Sequence, residues 1–228
     1  GSLLLLAAGL AGAWKPAWLR GAFYASAVTV AGYWLHEFRR MAPPGPPRLL
    51  PSGTGSRLWE AAAYAIILCA AALGLLAALT PEIFYDALVY HLGLPKLFLL
   101  RERIGAVPYS IYSGLPLGIQ MLYGLALALS GETLACLFHW SLGLAAAAAL
   151  WAWSRRYQSA ETGALASLLF YLCPAVMYAG WHAGVDLGSS FLCLGAFLAL
   201  CRSLEDPAAA DGQNWSILAG LLIGGAMG

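Results

Sequence analysis

Charge is what this sequence has least of. Only 10% of its 228 residues are Asp, Glu, Lys or Arg, whereas about a quarter are charged in a typical soluble domain. This scarcity excludes an ordinary soluble fold. The net charge of +1 is uninformative, and nothing in the sequence suggests a surface for nucleic acid. The 61% of hydrophobic residues instead predict an all-α, polytopic membrane protein, because helices of about 20 apolar residues span the hydrocarbon core.

The five cysteines lack the CxxC spacing of a metal or redox site. All lie in apolar runs, so we expect reduced thiols buried in the core. Glu82, Asp86 and His91 are close in sequence, but this pattern is too weak to predict a metal centre. A hydrogen-bonding or phosphate-facing role for His91 is favoured, and a requirement for a divalent cation stays open.

Long apolar segments divide the chain. They cover about residues 2–14, 17–35, 58–79, 114–130, 133–153, 162–180 and 185–201, and an eighth starts near 215. A linker rich in Pro and Gly, over 41–57, cannot be helical. It separates a two-helix membrane hairpin (1–40) from a module over 58–228. No signal peptide is predicted, since a basic n-region is lacking, and we expect the N-terminal part of a larger protein.

The positions of the arginines predict the topology. Four arginines between residues 39 and 57 place the linker in the cytoplasm and the insert over 80–113 outside. If the segment 114–130 crossed the bilayer, the pair Arg155–Arg156 would lie outside. We therefore predict that 114–130 is a re-entrant or interfacial helix. Both polar patches, 80–103 and 178–188, then lie on the outer side.

Asp86 is the first candidate for a functional residue. It follows the predicted span 58–79 and is surrounded in sequence by aromatic residues. Ionisable groups at a membrane boundary are costly to desolvate and often mark functional sites. Two interpretations stand side by side: Asp86 is the N-cap of a helix that begins at Ala87, or it is a general base in a partly desolvated mouth.

His182 and Asp186 dominate the second patch. They are four residues apart and would share one face of a helix, within hydrogen-bonding reach. They form either a satisfied polar pair or a second contribution to an outer active site beside Asp86. His139, on an otherwise apolar helix, is expected to be a satisfied interhelical group. The basic residues Lys96, Arg101 and Arg103 contact lipid headgroups or hold a lipid-linked phosphate.

Four short motifs follow one another in a distinctive order. They are Phe84–His91 (FYDALVYH), Gly114–Gly118 (GLPLG), Trp153–Arg156 (WSRR) and His182–Asp186 (HAGVD). Together they resemble the N-terminal module of the GT-C membrane glycosyltransferases, in the group of bacterial protein O-mannosyltransferase-like and aminoarabinose-transferase-like enzymes. The resemblance covers residues 58–228. The chain departs from the family at Ala87, where members often have Glu after the Asp.

The resemblance implies a polytopic helical bundle with juxtamembrane helices in the first large outer loop. It also implies transfer of a sugar from a polyprenyl-phosphate donor to an extracytoplasmic acceptor at a bacterial inner membrane, with Asp86 as the catalytic base. The implied substrate-binding residues are Tyr90, His91, Lys96, Arg101, Arg103, His182 and Asp186. The implied partners are the lipid-linked donor and membrane lipids, with no nucleic acid.

Two other functions are compatible with the same patterns. A non-catalytic scaffold subunit would use the helices to pack against other proteins of a membrane complex, and the single carboxylate at Asp86–Ala87 suits that role. A transporter would use polar residues at broken helices as a substrate path, but no inverted repeat is visible.

Overall fold

The computed structural model describes residues 7–25 except 8 and 13, residues 54–205 and residues 210–227. These ranges contain helices and no strand, which confirms the all-α prediction. The α-helices are α1 (16–25), α2 (Thr54–Ala78), α3 (Gly93–Leu100), α4 (Gly118–Leu129), α5 (Glu132–Tyr157), α6 (Ala160–Tyr171), α7 (Pro174–Ala179), α8 (Asp186–Glu205) and α9 (Ala210–Met227). A π-helical turn (Ala87–His91) and a 3-10 turn (Ile111–Gly114) lie in the insert. Much of the predicted hairpin and linker lies outside the described residues. The prediction that the linker is non-helical as far as residue 57 is wrong at its end, because α2 begins at Thr54.

Three helices are long and apolar enough to cross a membrane, by length and composition: Arg57–Ala78, Glu132–Tyr157 and Asp186–Glu205. They coincide with predicted spans and make this a membrane protein. Helix α4 has 12 residues, about 18 Å at 1.5 Å per residue, against a hydrocarbon core of about 30 Å. Helix α4 is therefore too short to cross the core alone. This length is compatible with the predicted re-entrant or interfacial helix.

A two-residue turn reverses the chain between α4 and α5. The amides of Ser130 and Gly131 both donate to the Ala126 carbonyl, at 2.9 and 3.1 Å. Gly131 has a φ of 105°, which only glycine adopts without strain. The tight turn brings Glu132, the first residue of α5, within 3.1 Å of Lys96 on α3, so α5 starts at the end of the bundle that holds the insert.

The apolar segment 162–180 does not form one continuous helix, so the prediction of a single span there is wrong. Helix α6 ends at Tyr171 and α7 begins at Pro174. Proline has no amide hydrogen and disfavours helical backbone in the residue before it; Cys173 accordingly has a ψ of 124°. The break lets α7 lead into the irregular loop 180–185, which carries part of the polar patch.

The described part of the N-terminal segment packs against the insert. Trp14 is fully buried in one cluster with Phe98 and Met121, and its backbone amide donates to the Glu102 carbonyl at 3.2 Å. Gly124 makes room for the indole, since a Cβ there would lie 2.5 Å from a ring carbon of Trp14. Residues near Trp14 and the insert therefore share a single core.

The prediction that all five cysteines are buried is wrong. All are free thiols, but only Cys136 is buried; Cys69, Cys173 and Cys193 are exposed and Cys201 is partly exposed. The reason is that a membrane helix can expose apolar side chains to lipid. Lipid tails are as apolar as a protein core, so an apolar run does not distinguish a side chain facing lipid from one facing another helix.

Small residues let α5 and α6 approach each other closely. The Ser167 hydroxyl of α6 donates to the Ala147 carbonyl of α5 at 2.9 Å. A Cβ on Gly163 would lie 2.9 Å from the Trp151 carbonyl oxygen. Ala147 is buried in this contact, whereas its neighbour Ala148 is exposed.

This contrast provides a matched pair of variants. Ala147→Leu is expected to destabilise the protein by about 1–3 kcal/mol, because the added atoms have no space between the helices. Ala148→Leu adds the same atoms on an exposed face and should leave stability near that of the wild type. Thermal unfolding in detergent measures both. Equal melting temperatures for the two variants would contradict the helix packing described above.

Candidate active site

Glu82 joins the two polar patches. One carboxylate oxygen accepts from the amides of Ile83 and Phe84, both at 3.0 Å. The other accepts from the amide of Ala183 at 2.8 Å and from the Cys136 thiol at 3.5 Å. A single side chain thus connects the start of the insert, helix α5 and the loop 180–185. The sequence shows Glu82 as one acidic residue among several, with no indication of this role.

Asp86 lies one residue after the start of the first helical turn of the insert. Its φ and ψ of −63° and −41° are helical, and its side chain makes no capping hydrogen bond. The N-cap interpretation is therefore wrong, because a cap has non-helical backbone and accepts from an amide of the first turn. The Asp86 side chain is exposed, and among the described residues it has no hydrogen-bond or ion-pair partner.

A π-helical turn follows Asp86 and turns its last residue inward. The Leu92 amide donates to the Ala87 carbonyl at 2.8 Å, five residues back; such turns occur frequently at functional sites. His91, at the end of the turn, is only 6% exposed. Its Nδ1 lies 3.1 Å from the side-chain nitrogen of Gln120 on α4.

The contact between Gln120 and His91 indicates a neutral histidine. An amide nitrogen only donates, so Nδ1 accepts and the ring proton is on Nε2. Burial lowers the pKa of His91, and this outweighs the carboxylates of Asp86 and Asp186, which raise it. Gln120 was missed as a site residue. The indication available in the sequence was a polar amide side chain within an otherwise apolar helix.

Tyr90 is influenced by a carboxylate from each of the two polar patches. Its ring stacks on Tyr112, with centroids 4.4 Å apart and planes inclined by 10°, and lies 4.1 Å from the ring of His91. Burial raises the pKa of Tyr90, and the nearby carboxylates of Asp86 and Asp186 raise it further. Both carboxylates therefore act on one phenol, although they are a hundred residues apart in sequence.

His182 and Asp186 approach each other differently from the prediction. They do not share a helix, since residues 181–185 are irregular and Asp186 is the first residue of α8. They meet around Gly184 instead: a Cβ on this residue would lie 3.2 Å from His182 Nε2 and 3.4 Å from an Asp186 carboxylate oxygen. His182 Nδ1 donates to the Tyr178 carbonyl at 3.2 Å, and its ring lies 4.4 Å from that of Phe84.

Two buried side chains form hydrogen bonds with the backbone of this loop. His139 of α5 donates from Nδ1 to the His182 carbonyl at 2.8 Å and accepts at Nε2 from the Leu187 amide at 3.1 Å. This confirms His139 as a satisfied interhelical group. The Tyr123 hydroxyl of α4 donates to the Gly184 carbonyl. Tyr123 was not predicted, because tyrosine in an apolar run is more typical of an interfacial belt.

The predicted basic residues make no hydrogen bond or ion pair with this cluster among the described residues. Lys96 pairs with Glu132, while Arg101 and Arg103 are exposed at and just after the end of α3 and have no ion-pair partner among the described residues. The charges that act on Tyr90 and His91 come from acidic residues and His182. Ring contacts and charge interactions thus connect Asp86, Tyr90, His91, His182 and Asp186, and those described involve none of the three cations.

The cluster defines what chemistry is available. Its exposed carboxylate, Asp86, is free to take a proton, and Tyr90, His182 and Asp186 offer further hydrogen-bonding groups to a polar substrate. Within the part of the chain that the structure describes, no three His, Cys, Asp or Glu side chains converge as a metal centre requires.

Comparisons with protein-family models, curated protein sequences and solved structures found no match.

Proposed function

We propose that this chain is the membrane-embedded part of a glycosyltransferase that moves a sugar from a polyprenyl-phosphate carrier to an acceptor. The proposed location is a bacterial inner membrane, with the cluster around Asp86 on the outer face. The observation that carries the proposal is the Asp86 carboxylate, which is exposed and without a partner among the described residues. Together with Asp186 of the second polar patch, this carboxylate acts on the phenol of Tyr90.

In this proposal Asp86 is the general base. The acceptor's nucleophilic atom forms a bond to the anomeric carbon of the sugar, and Asp86 takes the acceptor proton. The bond from the anomeric carbon to the carrier phosphate breaks, and the phosphate leaves on the lipid. A phosphate is a good leaving group and needs little acid help. Tyr90, His91, His182 and Asp186 bind and orient the substrates around Asp86.

One observation favours a non-catalytic scaffold as the alternative. None of the cations proposed to hold the carrier phosphate is among the charges that act on Tyr90 and His91, and Lys96 is paired with Glu132. The enzyme hypothesis then needs Arg101, Arg103 or a cation elsewhere in the protein. Full-length protein in vesicles should release carrier phosphate from at least one of a panel of polyprenyl-phosphate sugars, whereas a scaffold releases none.

The proposed function also requires both polar patches on the same, outer side. In a variant whose native cysteines are replaced by alanine, single cysteines at Tyr109 and Trp181 should react with a membrane-impermeant maleimide applied outside. Both residues are exposed, by 77% and 43%. A cysteine at Gln158, in the α5–α6 turn beside Arg155–Arg156, should react only after permeabilisation, because paired arginines favour the cytoplasm. Labelling of positions 109 and 181 from opposite faces would exclude a shared site.

A further inference from the structure

A groove lies at the end of the bundle where α2 ends and α5 begins, and Asp86 is not among the residues that line it. Its volume is about 650 Å³, within the range of small-ligand sites. The walls are largely apolar, and the charged side chains along it are Glu82, Lys96 and Glu132. The apolar lining residues include Leu79, Leu99, Leu100 and Leu127.

The helix ends around the groove correspond to the depth of lipid headgroups. Leu79 directly follows α2, and Glu132 is the first residue of α5; both helices are long and apolar enough to cross a membrane. The Lys96–Glu132 pair therefore lies where apolar helices give way to polar loops. That boundary is where a phospholipid changes from acyl chain to headgroup.

The charges in the groove distinguish between types of headgroup. Two carboxylates accompany one ammonium, so the groove is acidic overall and disfavours an anionic lipid. Lys96 and Glu132 are in contact at 3.1 Å through one carboxylate oxygen, with side-chain exposures of 62% and 39%. Glu132 keeps a second oxygen and Lys96 keeps further N–H donors. A headgroup with a phosphate and a primary ammonium can satisfy both residues at once.

We propose that this groove binds a zwitterionic phospholipid with a primary ammonium, of the phosphatidylethanolamine class. The lipid phosphate accepts from Lys96, the lipid ammonium donates to Glu132, and an acyl chain lies along the leucines. A choline headgroup has the same net charge but no N–H to donate, so it binds less well. The proposal is independent of the function proposed for Asp86.

The experiment uses the full chain incorporated into vesicles of equimolar phosphatidylethanolamine, phosphatidylcholine and phosphatidylglycerol with identical acyl chains. After mild detergent extraction, mass spectrometry measures the retained lipids. The wild type should retain the ethanolamine lipid about fivefold over each of the other two, the factor given by one good polar contact of about 1 kcal/mol. Glu132→Met, which has no oxygen to accept from the lipid ammonium, should lose the preference over phosphatidylcholine, and Lys96→Met should retain less of every phospholipid.

The chain offers a matched control in a second exposed ion pair. Lys15 and Glu102 lie 3.6 Å apart, with side-chain exposures of 55% and 52%, and they do not line the groove. Glu102→Met should retain lipids as the wild type does. Equal retention of the three lipids by the wild type, or an unchanged preference in Glu132→Met, would overturn the proposal.

A further arm separates this lipid from the proposed sugar donor. Polyprenyl phosphate added at equimolar amount should leave the bound ethanolamine lipid in place, because the groove is acidic. Its displacement of that lipid would assign the groove to the donor and overturn the proposal. Loss of glycan transfer in other variants has no bearing on this result, so the two hypotheses fail separately.

Discussion

Replacement of Asp86 by asparagine is expected to reduce glycan transfer by about a hundredfold or more, the size of a general-base contribution. Asparagine keeps the shape of the side chain but cannot take a proton. The fold should be unaffected, because Asp86 is exposed and makes no capping hydrogen bond. Transfer by the full-length protein from a polyprenyl-phosphate sugar, measured beside thermal unfolding, tests both parts of the expectation.

Two comparisons sharpen this test. His182→Ala and Asp186→Asn should each reduce transfer less than Asp86→Asn does, since their groups surround the base without replacing it. Glu60→Gln on α2, whose side chain has no hydrogen bond among the described residues, serves as a control and should transfer normally. Full activity in Asp86→Asn would rule out this mechanism and favour the scaffold.

The second large effect is expected at Glu82. Glu82→Ala removes the acceptor for three backbone amides, two in the insert and one at Ala183. A hydrogen bond to a charged group contributes about 1.5–3 kcal/mol, so the loss should lower stability by at least about 2 kcal/mol. Thermal unfolding in detergent measures this change.

Glu82→Gln separates the hydrogen bonds from the charge. Glutamine keeps one oxygen, so it can accept on one side only, and its stability should fall between those of the wild type and Glu82→Ala. Transfer should fall in the same order if Glu82 positions the two loops. Glu60→Ala should leave both properties unchanged. Wild-type stability in Glu82→Ala would show that the two loops hold their positions without this carboxylate.

The sequence-based predictions agree best with the structure for the long helices. Three predicted spans match helices that the structure shows, because a continuous apolar run constrains backbone and environment together. The sequence contains the proline that causes the break, Pro174. The break was nevertheless not predicted, because the whole segment 162–180 is apolar. Cysteine burial was not predictable, since hydropathy does not tell lipid from protein as a neighbour.

The site shows the opposite balance. The residue types at Asp86, Tyr90, His91, His182 and Asp186 were recognisable because polar groups are costly at a membrane boundary. Their supports were not recognisable. Glu82 accepts from an amide 101 residues away, and Gln120 reaches His91 across 29 residues. Neither partner leaves a pattern in the neighbouring sequence.

The sequence alone determined the all-α membrane class, the long spans and the two polar patches, because these depend on composition and on hydrophobicity averaged over many residues. The tertiary structure decided which polar groups meet. It paired Lys96 with Glu132, left Asp86 without a partner among the described residues, and gathered His182 and Asp186 around Gly184. Hydrogen bonds and ion pairs act over a few ångströms, so they depend on how distant helices pack, which local composition does not specify.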